Sequence, residues 1–265
     1  MERAVPHNDE NKQAAVEVHT VQADEFAERY DVRSTDPYAD CFAYSRYRLA
    51  SQMALYLPKT GDGKSLLDVG CGTGHYIKSL RESGYAVSGV DASDGMLAHA
   101  RANNPGVVIE KGDVDALPFQ NASFDYVLSI EVLRYLKSPQ QSIREMARVL
   151  KPGGIALVTA APRLNLNGYW PLNQVTSRMR IGNLTQLRQY FTTSRSLRRQ
   201  FHAAGFEEIS IHGIYLGPIN WVARLAKPFL RNFLRHWESI DCALADRGVL
   251  RDLSNMYLVR AVRAR

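Results

Sequence analysis

The chain has 265 residues, 45% hydrophobic and 23% charged, enough to bury one large core or two small ones. No uninterrupted apolar run approaches the roughly 20 residues of a membrane-spanning helix, and the opening MERAVPHNDENKQAAVEVHT lacks the apolar centre of a secretory signal, so the expected location is cytoplasmic. The net charge of +6 is uneven: from residue 176 onward 15 Lys and Arg face 6 Asp and Glu, or +9, which leaves 18 against 21, or −3, for the first 175 residues.

In chain order, residues 1–20 show little apolar periodicity and are expected to be a loose tail ahead of one domain over 21–265. Ala23 to Tyr30 reads as a short helix. Tyr44 to Leu57 reads as a longer one, with Leu49, Met53, Ala54 and Leu57 on one side and Pro58 as its stop. From Ser65 short apolar runs alternate with amphipathic segments. Strands are predicted at Ser65–Val69, Ala86–Val90, Val107–Lys111, Tyr126–Ile130 and Ile155–Thr159, separated by helices at Tyr76–Ser83, Gly95–Ala102 and Ser138–Leu150. Continuous apolar strands joined through helices imply a parallel, doubly wound α/β sheet with right-handed crossovers. A helix at Ser194–Ala204 and strands at Glu208–Ile214 and Asn255–Arg263 follow.

The first strand ends in Ser65-Leu66-Leu67-Asp68-Val69-Gly70-Cys71-Gly72-Thr73-Gly74-His75-Tyr76. Ligands of open α/β sheets sit beyond the carboxyl ends of the strands, and glycines there let a ligand approach the main chain. A dinucleotide loop wants G-x-G-x-x-G, but the third glycine of that pattern would fall on His75. Instead the glycines alternate at 70, 72 and 74, with Cys71 between the first two and Asp68 ahead of them. Asp91 ends the second strand 23 residues after Asp68, and Asp113 ends the third 22 residues later. A carboxylate at the second position can accept both ribose hydroxyls of a nucleoside. At the third, Asp113 can accept from an exocyclic amine while the Val114 N–H donates to a ring nitrogen, a pair that selects adenine.

Together with Leu117-Pro118-Phe119, Phe124-Asp125-Tyr126-Val127 and Leu150-Lys151-Pro152-Gly153-Gly154, this ordered set resembles the class I S-adenosylmethionine-dependent methyltransferases over about residues 40–162. The resemblance implies a Rossmann-like seven-stranded sheet with an antiparallel last strand, N-terminal helices, and a helical lid inserted before that strand. It implies S-adenosylmethionine as cofactor and no metal. Gly70, Gly72 and Gly74, with Cys71, would floor the site; Asp68 would face the methionine amine and Asp91 the ribose. Ala92 and Met96 would flank adenine, Asp113 and Val114 would read its edge, and Ser129 and Ile130 would lie beside the sulfonium. Arg46 and Arg48 resemble the N-terminal helix arginines that meet the cofactor carboxylate, and Arg48 is assigned to that contact.

Relatives often carry E-V-L-x-H after the fourth strand; here Glu131-Val132-Leu133-Arg134-Tyr135 puts Tyr135 in place of the histidine. Glu131, His75 and Tyr135 are the catalytic candidates, with Glu131 or His75 as base. The fourth strand lacks the Asn-Pro-Pro-Tyr type of sequence that related enzymes use on planar amides. The expected reaction is O-methylation of a small acceptor: a lipid-like, quinone, polyketide or glycolipid intermediate. RNA or protein methylation, or an idle adenosyl-binding protein, are the alternatives. Substrate choice is expected in segments 22–57, 163–193 and 215–252. Within 221–237, Arg224, Lys227, Arg231 and Arg235 lie on one side and Trp221, Leu225, Phe229, Phe233 and Trp237 on another, divided by Pro228. That segment is either a packed lid or a peripheral membrane contact. The Arg-rich stretch 178–199 carries few aromatics, which disfavours nucleic acid as a partner. The cysteines, Cys41, Cys71 and Cys242, lack disulfide or metal-ligand spacing.

Overall fold

The computed structural model describes residues 10–31, 36–179 and 187–265. Its centre is one seven-stranded sheet: β1 (Ser65–Val69), β2 (Ala86–Asp91), β3 (Ile109–Lys111), β4 (Phe124–Ser129), β5 (Leu150–Ala160), β6 (Phe206–Leu216) and β7 (Ser254–Arg263), in the order β3-β2-β1-β4-β5-β7-β6. Strands β1 to β5 pair in parallel, with Ser65 opposite Ala86 and Leu66 opposite Tyr126. β7 runs antiparallel to both β5 and β6. The expected doubly wound sheet with a reversed last strand is therefore present. β5 starts five residues earlier than its apolar run suggested, because Leu150 already pairs with Phe124 across Pro152-Gly153-Gly154.

Alternate residues feed two cores. Leu67, Val69, Val127, Ala156 and Val158 join the cluster on one face, while Leu66, Tyr126, Leu128 and Leu157 join that on the other. This period of two is what a strand buried on both faces requires. The helices between these strands are α4 (His75–Glu82), α5 (Asp94–Asn103) and α6 (Gln140–Val149); α8 (Ser194–Ala203) precedes β6. Ser93 starts α5 by accepting the Met96 N–H at 3.2 Å, and Thr193 starts α8 by accepting that of Ser196 at 3.3 Å.

Ahead of the sheet stand α1 (Glu10–Val21), α2 (Ala23–Asp31) and α3 (Cys41–Met53). The loose tail expected over 1–20 is thus corrected: 1–9 lie outside the described residues, and 10–21 are helical. Only Ala15 of α1 is buried, so tertiary bonds hold the helix. Asn11 Nδ2 donates to Tyr135 O at 3.2 Å and Arg188 O at 3.0 Å, Lys12 pairs with Asp113 and with Asp115 at 2.7 Å, and the Thr20 and Ser93 hydroxyls lie 2.9 Å apart.

The variable segments are helical. α7 (Tyr169–Met179) follows β5, and α9 (Ile219–Leu225), α10 (Leu230–Leu244) and the short α11 (Leu250–Leu253) fill the span between β6 and β7. Residues 180–186 of the Arg-rich stretch lie outside the described residues. Pro228 sits in a 3-10 turn, Lys227–Phe229, that divides α9 from α10. α10 packs on the body: Asp241, fully buried, accepts from Tyr44 Oη at 2.9 Å, Arg48 Nε at 2.8 Å and Leu216 N at 2.8 Å, and Trp237 Nε1 donates to Leu216 O at 2.7 Å. Among the described residues no helix is long and apolar enough to cross a membrane.

Candidate active site

Beyond β1 the chain turns under its own sheet edge. The Gly70 and Cys71 N–H groups both donate to Val90 O, at 2.8 and 3.1 Å, and Gly72 N–H donates to Asp91 Oδ2 at 2.9 Å. The other Asp91 oxygen accepts the Ser93 N–H at 2.9 Å, so one carboxylate ties the glycine loop to the end of β2. Gly70 has φ +74°, and a Cβ there would lie 2.2 Å from Val132 Cγ2; the turn admits no side chain.

Over this loop lies a cavity of about 510 Å³. Asp68, Gly70, Cys71 and Gly72 form its floor, and Asp91, Ala92, Met96 and Val114 one wall. Lys12, Ala15, Val16 and His19 of α1 roof it. Ile130, Glu131, Arg134, Tyr135, Tyr169 and Asn220 stand at the far end. The sheet edge, an N-terminal helix and both variable segments thus meet around one space.

The floor is acidic and enclosed. Asp68 is 1% exposed, and among the described residues its Oδ2 has no hydrogen-bond partner. Burial, and then the nearby Asp91, push its carboxyl up to about 7. Burial also raises Asp91, against the Ser93 and Gly72 N–H groups that favour its ionised form. Such a pair suits a cation, whose arrival would replace the missing solvation.

The far end is arranged differently. Glu131 pairs with Arg134, and this carboxylate neighbour holds the Arg134 pKa up despite desolvation. Glu131 has φ +66° and donates its N–H to Thr159 Oγ1 at 2.7 Å; strain in a non-glycine residue at the end of a strand is common where a side chain is aimed at a ligand. Tyr215 Oη donates to Asn220 Oδ1 at 2.9 Å, and Asn220 Nδ2 donates to the Tyr169 hydroxyl. The Tyr169 O–H is thereby left as a donor on the cavity wall. Burial pushes Tyr135 up to about 12, so it is a proton donor at neutral pH.

Several expected contacts fall elsewhere. Arg48 turns away from the cavity to Asp241 and Cys242. Arg46, two residues earlier, is on the wall, its Nη1 donating to Tyr76 Oη at 3.1 Å and its guanidinium 4.9 Å from the Phe42 ring. Asp113 stands outside the wall because Lys12 takes its carboxylate; Gly112 and Val114 line the cavity on either side of it. Ser129 is buried and donates to Val69 O at 3.1 Å, bracing β4 against β1. Gly74 also leaves the wall. It caps α4 at φ +78°, and a Cβ there would lie 2.4 Å from Asn104 Nδ2 and 3.1 Å from Ala100 Cα, so its bareness lets α4 approach α5. His75 is exposed at the cavity rim, its ring edge-on to Tyr76.

Residues absent from the sequence reading also reach the site. His19 lies on the roof, with its ring 5.1 Å from that of Tyr135 and Nδ1 2.6 Å from Ala15 O. Tyr169 and Asn220 come from the variable segments, where no motif marks them. Among the described residues no group of three or more His, Cys, Asp or Glu is placed to hold a metal.

Comparison with known proteins bears on this geometry. A family model described as a methyltransferase domain matches residues 67–158. The ubiquinone biosynthesis O-methyltransferase of Idiomarina loihiensis is 30% identical over 190 residues, which cover 63% of this chain and 76% of that protein. The malonyl-[acyl-carrier protein] O-methyltransferase of Erwinia pyrifoliae is 38% identical over 110 residues, 42% of either chain. The chain therefore spans less than half the length of that relative. A solved S-adenosylmethionine-dependent methyltransferase from Thermotoga maritima superposes with a TM-score of 0.61 at 20% identity, covering 93% of this chain and 99% of the other. At that identity the likeness speaks for the fold.

Proposed function

This chain belongs to the S-adenosylmethionine-dependent methyltransferase family, and on that premise we propose that it methylates an oxygen of a small, largely apolar acceptor, such as a lipid-like, quinone, polyketide or glycolipid intermediate. The observation that carries the reading is a cavity whose acidic, glycine-floored end continues into a chamber of phenol, amide and guanidinium groups. The residues present fit the cofactor. The unpartnered Asp68 Oδ2 suits an ammonium group, Asp91 the ribose hydroxyls, and Arg46 a carboxylate, while Ala92, Met96 and Val114 flank the space for adenine. When bound, the cofactor supplies a methyl group already activated on a sulfonium.

The protein's share is then alignment, which can supply roughly 7–11 kcal/mol of such a barrier, and proton removal from the acceptor. Tyr169 and Asn220 would orient a hydroxyl. Of the three groups expected from the sequence, Tyr135 holds its proton, Glu131 is tied to Arg134 and His75 sits at the exposed rim. We assign the base to His19. Its Nδ1–H donates to Ala15 O, which leaves Nε2 to accept a proton.

The relatives named as O-methyltransferases support oxygen as the acceptor atom. Transfer of labelled methyl from cofactor to fractionated host extract tests the substrate class: label in a small apolar molecule is expected, and label confined to RNA or protein overturns it. A His19→Gln variant should lose at least 100-fold in kcat while holding S-adenosylhomocysteine within threefold. An unchanged kcat would take the role from His19.

A further inference from the structure

The stretch 221–237 is divided at Pro228, as its sequence leads one to expect, and its two parts differ. Past Pro228, Phe233 and Trp237 stack at 5.4 Å against the core, Arg231 pairs with Asp36, and Arg235 lies over the Tyr38 ring. α10 is accordingly packed on the body, and none of its residues lines the cavity. α9 differs: Trp221 is 47% and Leu225 83% exposed. It is joined to the start of α7, where Asn220 N–H donates to Asn167 Oδ1 at 3.0 Å and Trp221 Nε1 to Asn167 O at 3.2 Å.

α7 exposes apolar groups as well. Leu172, Val175 and Met179 recur at helical spacing and are 38%, 56% and 62% exposed, with Trp170 beside them. Leu172 also lines the cavity, as do Tyr169 and Thr176 of α7 and Asn220 of α9. The uncovered apolar surface therefore sits at the mouth of the chamber assigned to the acceptor. Contiguous exposure of this kind marks a binding surface.

Its charges say what binds. Arg163 lies 4.7 Å from the Trp170 ring and Arg224 5.9 Å from that of Trp221, and both are exposed, as are Arg178 and Lys227. Residues 146–206 and 209–237 contain no Asp or Glu at all. Tryptophan and aliphatic side chains among cations, on segments that bring no carboxylate of their own, match the interface of an anionic bilayer, where rings sit at headgroup depth and cations meet the lipid phosphates. A nucleic-acid face would present the cations with stacking rings but gain nothing from Leu172, Val175 and Leu225.

We propose that the α7–α9 face docks on anionic phospholipid surfaces, with the mouth of the cavity opening onto the bilayer. That the acceptor enters from the membrane rests on the proposed function; the docking does not. The test needs neither cofactor nor turnover. Full-length protein is floated with phosphatidylglycerol or phosphatidylcholine vesicles, alone and against mixed-sequence RNA. Binding to phosphatidylglycerol at least tenfold tighter than to phosphatidylcholine is expected. The double variant Val175→Ser/Leu225→Ser, at positions 56% and 83% exposed, should lose at least tenfold with an unchanged melting temperature and unchanged S-adenosylhomocysteine binding. Val108→Ser, 55% exposed at the amino-terminal edge of β3, should bind like the parent. Failure to float with phosphatidylglycerol, floating indifferent to the double variant, or RNA bound more tightly than vesicles would each overturn the proposal. Labelled transfer to a water-soluble acceptor would count against the proposed function while leaving docking intact.

Discussion

Replacing Asp68 by Asn separates stability from cofactor affinity. In the free protein the carboxyl is buried, its Oδ2 lacks a partner, and its pKa is pushed from 3.8 to about 7. A raised carboxyl pKa means the folded state binds the proton more tightly than the unfolded chain. The stabilisation is therefore complete below about pH 4 and is lost as pH rises toward 7. At about 1.4 kcal/mol per pH unit, the gap of about 3 units makes the ionised carboxylate cost about 4 kcal/mol at pH 8, an upper figure that relaxation reduces. D68N removes this titration while keeping the shape. Urea unfolding at pH 5 and pH 8 should show the parent weakening across the interval by more than the variant, and the variant should be the more stable at pH 8. Calorimetry should show the opposite ranking for S-adenosylhomocysteine: loss of a charge-assisted bond of about 1.5–3 kcal/mol weakens binding about 10- to 100-fold. Affinity of the parent should also rise from pH 6 to pH 8 as the carboxylate ionises. Identical pH slopes for parent and variant, or unaltered ligand affinity, would refute the reasoning.

The remaining predictions concern residues that left the site. Arg48→Ala should lower stability by about 3 kcal/mol, because it strands the buried Asp241 carboxylate, yet leave the dissociation constant for S-adenosylhomocysteine within twofold; a melt and a titration on the same sample decide. Gly74→Ala should cost about 2–4 kcal/mol, since a Cβ at φ +78° meets Asn104 and Ala100. A melting temperature within 1 °C of the parent would remove the packing role given to it.

The parallel half of the sheet was legible because β1, β2 and β4 are largely apolar runs of five or six residues, β1 followed by glycine and β2 closed by an acid. Ser65–Val69 and its glycine loop stand where the text put them, and Asp91 closes β2 with its side chain on that loop. What escaped depends on contacts distant in sequence. α1 carries one buried residue, so nothing in its own pattern foretells a helix; the bonds from Asn11 and Lys12 reach residues more than 100 positions away. Arg46 and Arg48 share one helix, α3, and only packing decides which of them faces the cavity. Asp113 has the right address at the sheet edge, but a lysine no motif includes arrives first. Tyr169 and Asn220 sit in variable segments, where chemistry is set by how two helices meet.

The placement of β7 has a bearing on biosynthesis. Among the described residues β6, 11 residues long, finds its one sheet partner in β7, which must thread between it and β5. A nascent chain emerging from the ribosome thus exposes two unmatched strand edges until β7 has emerged, an invitation to aggregation. Insertion of β7, and not the earlier appearance of the glycine-loop half, would be the moment at which the domain closes.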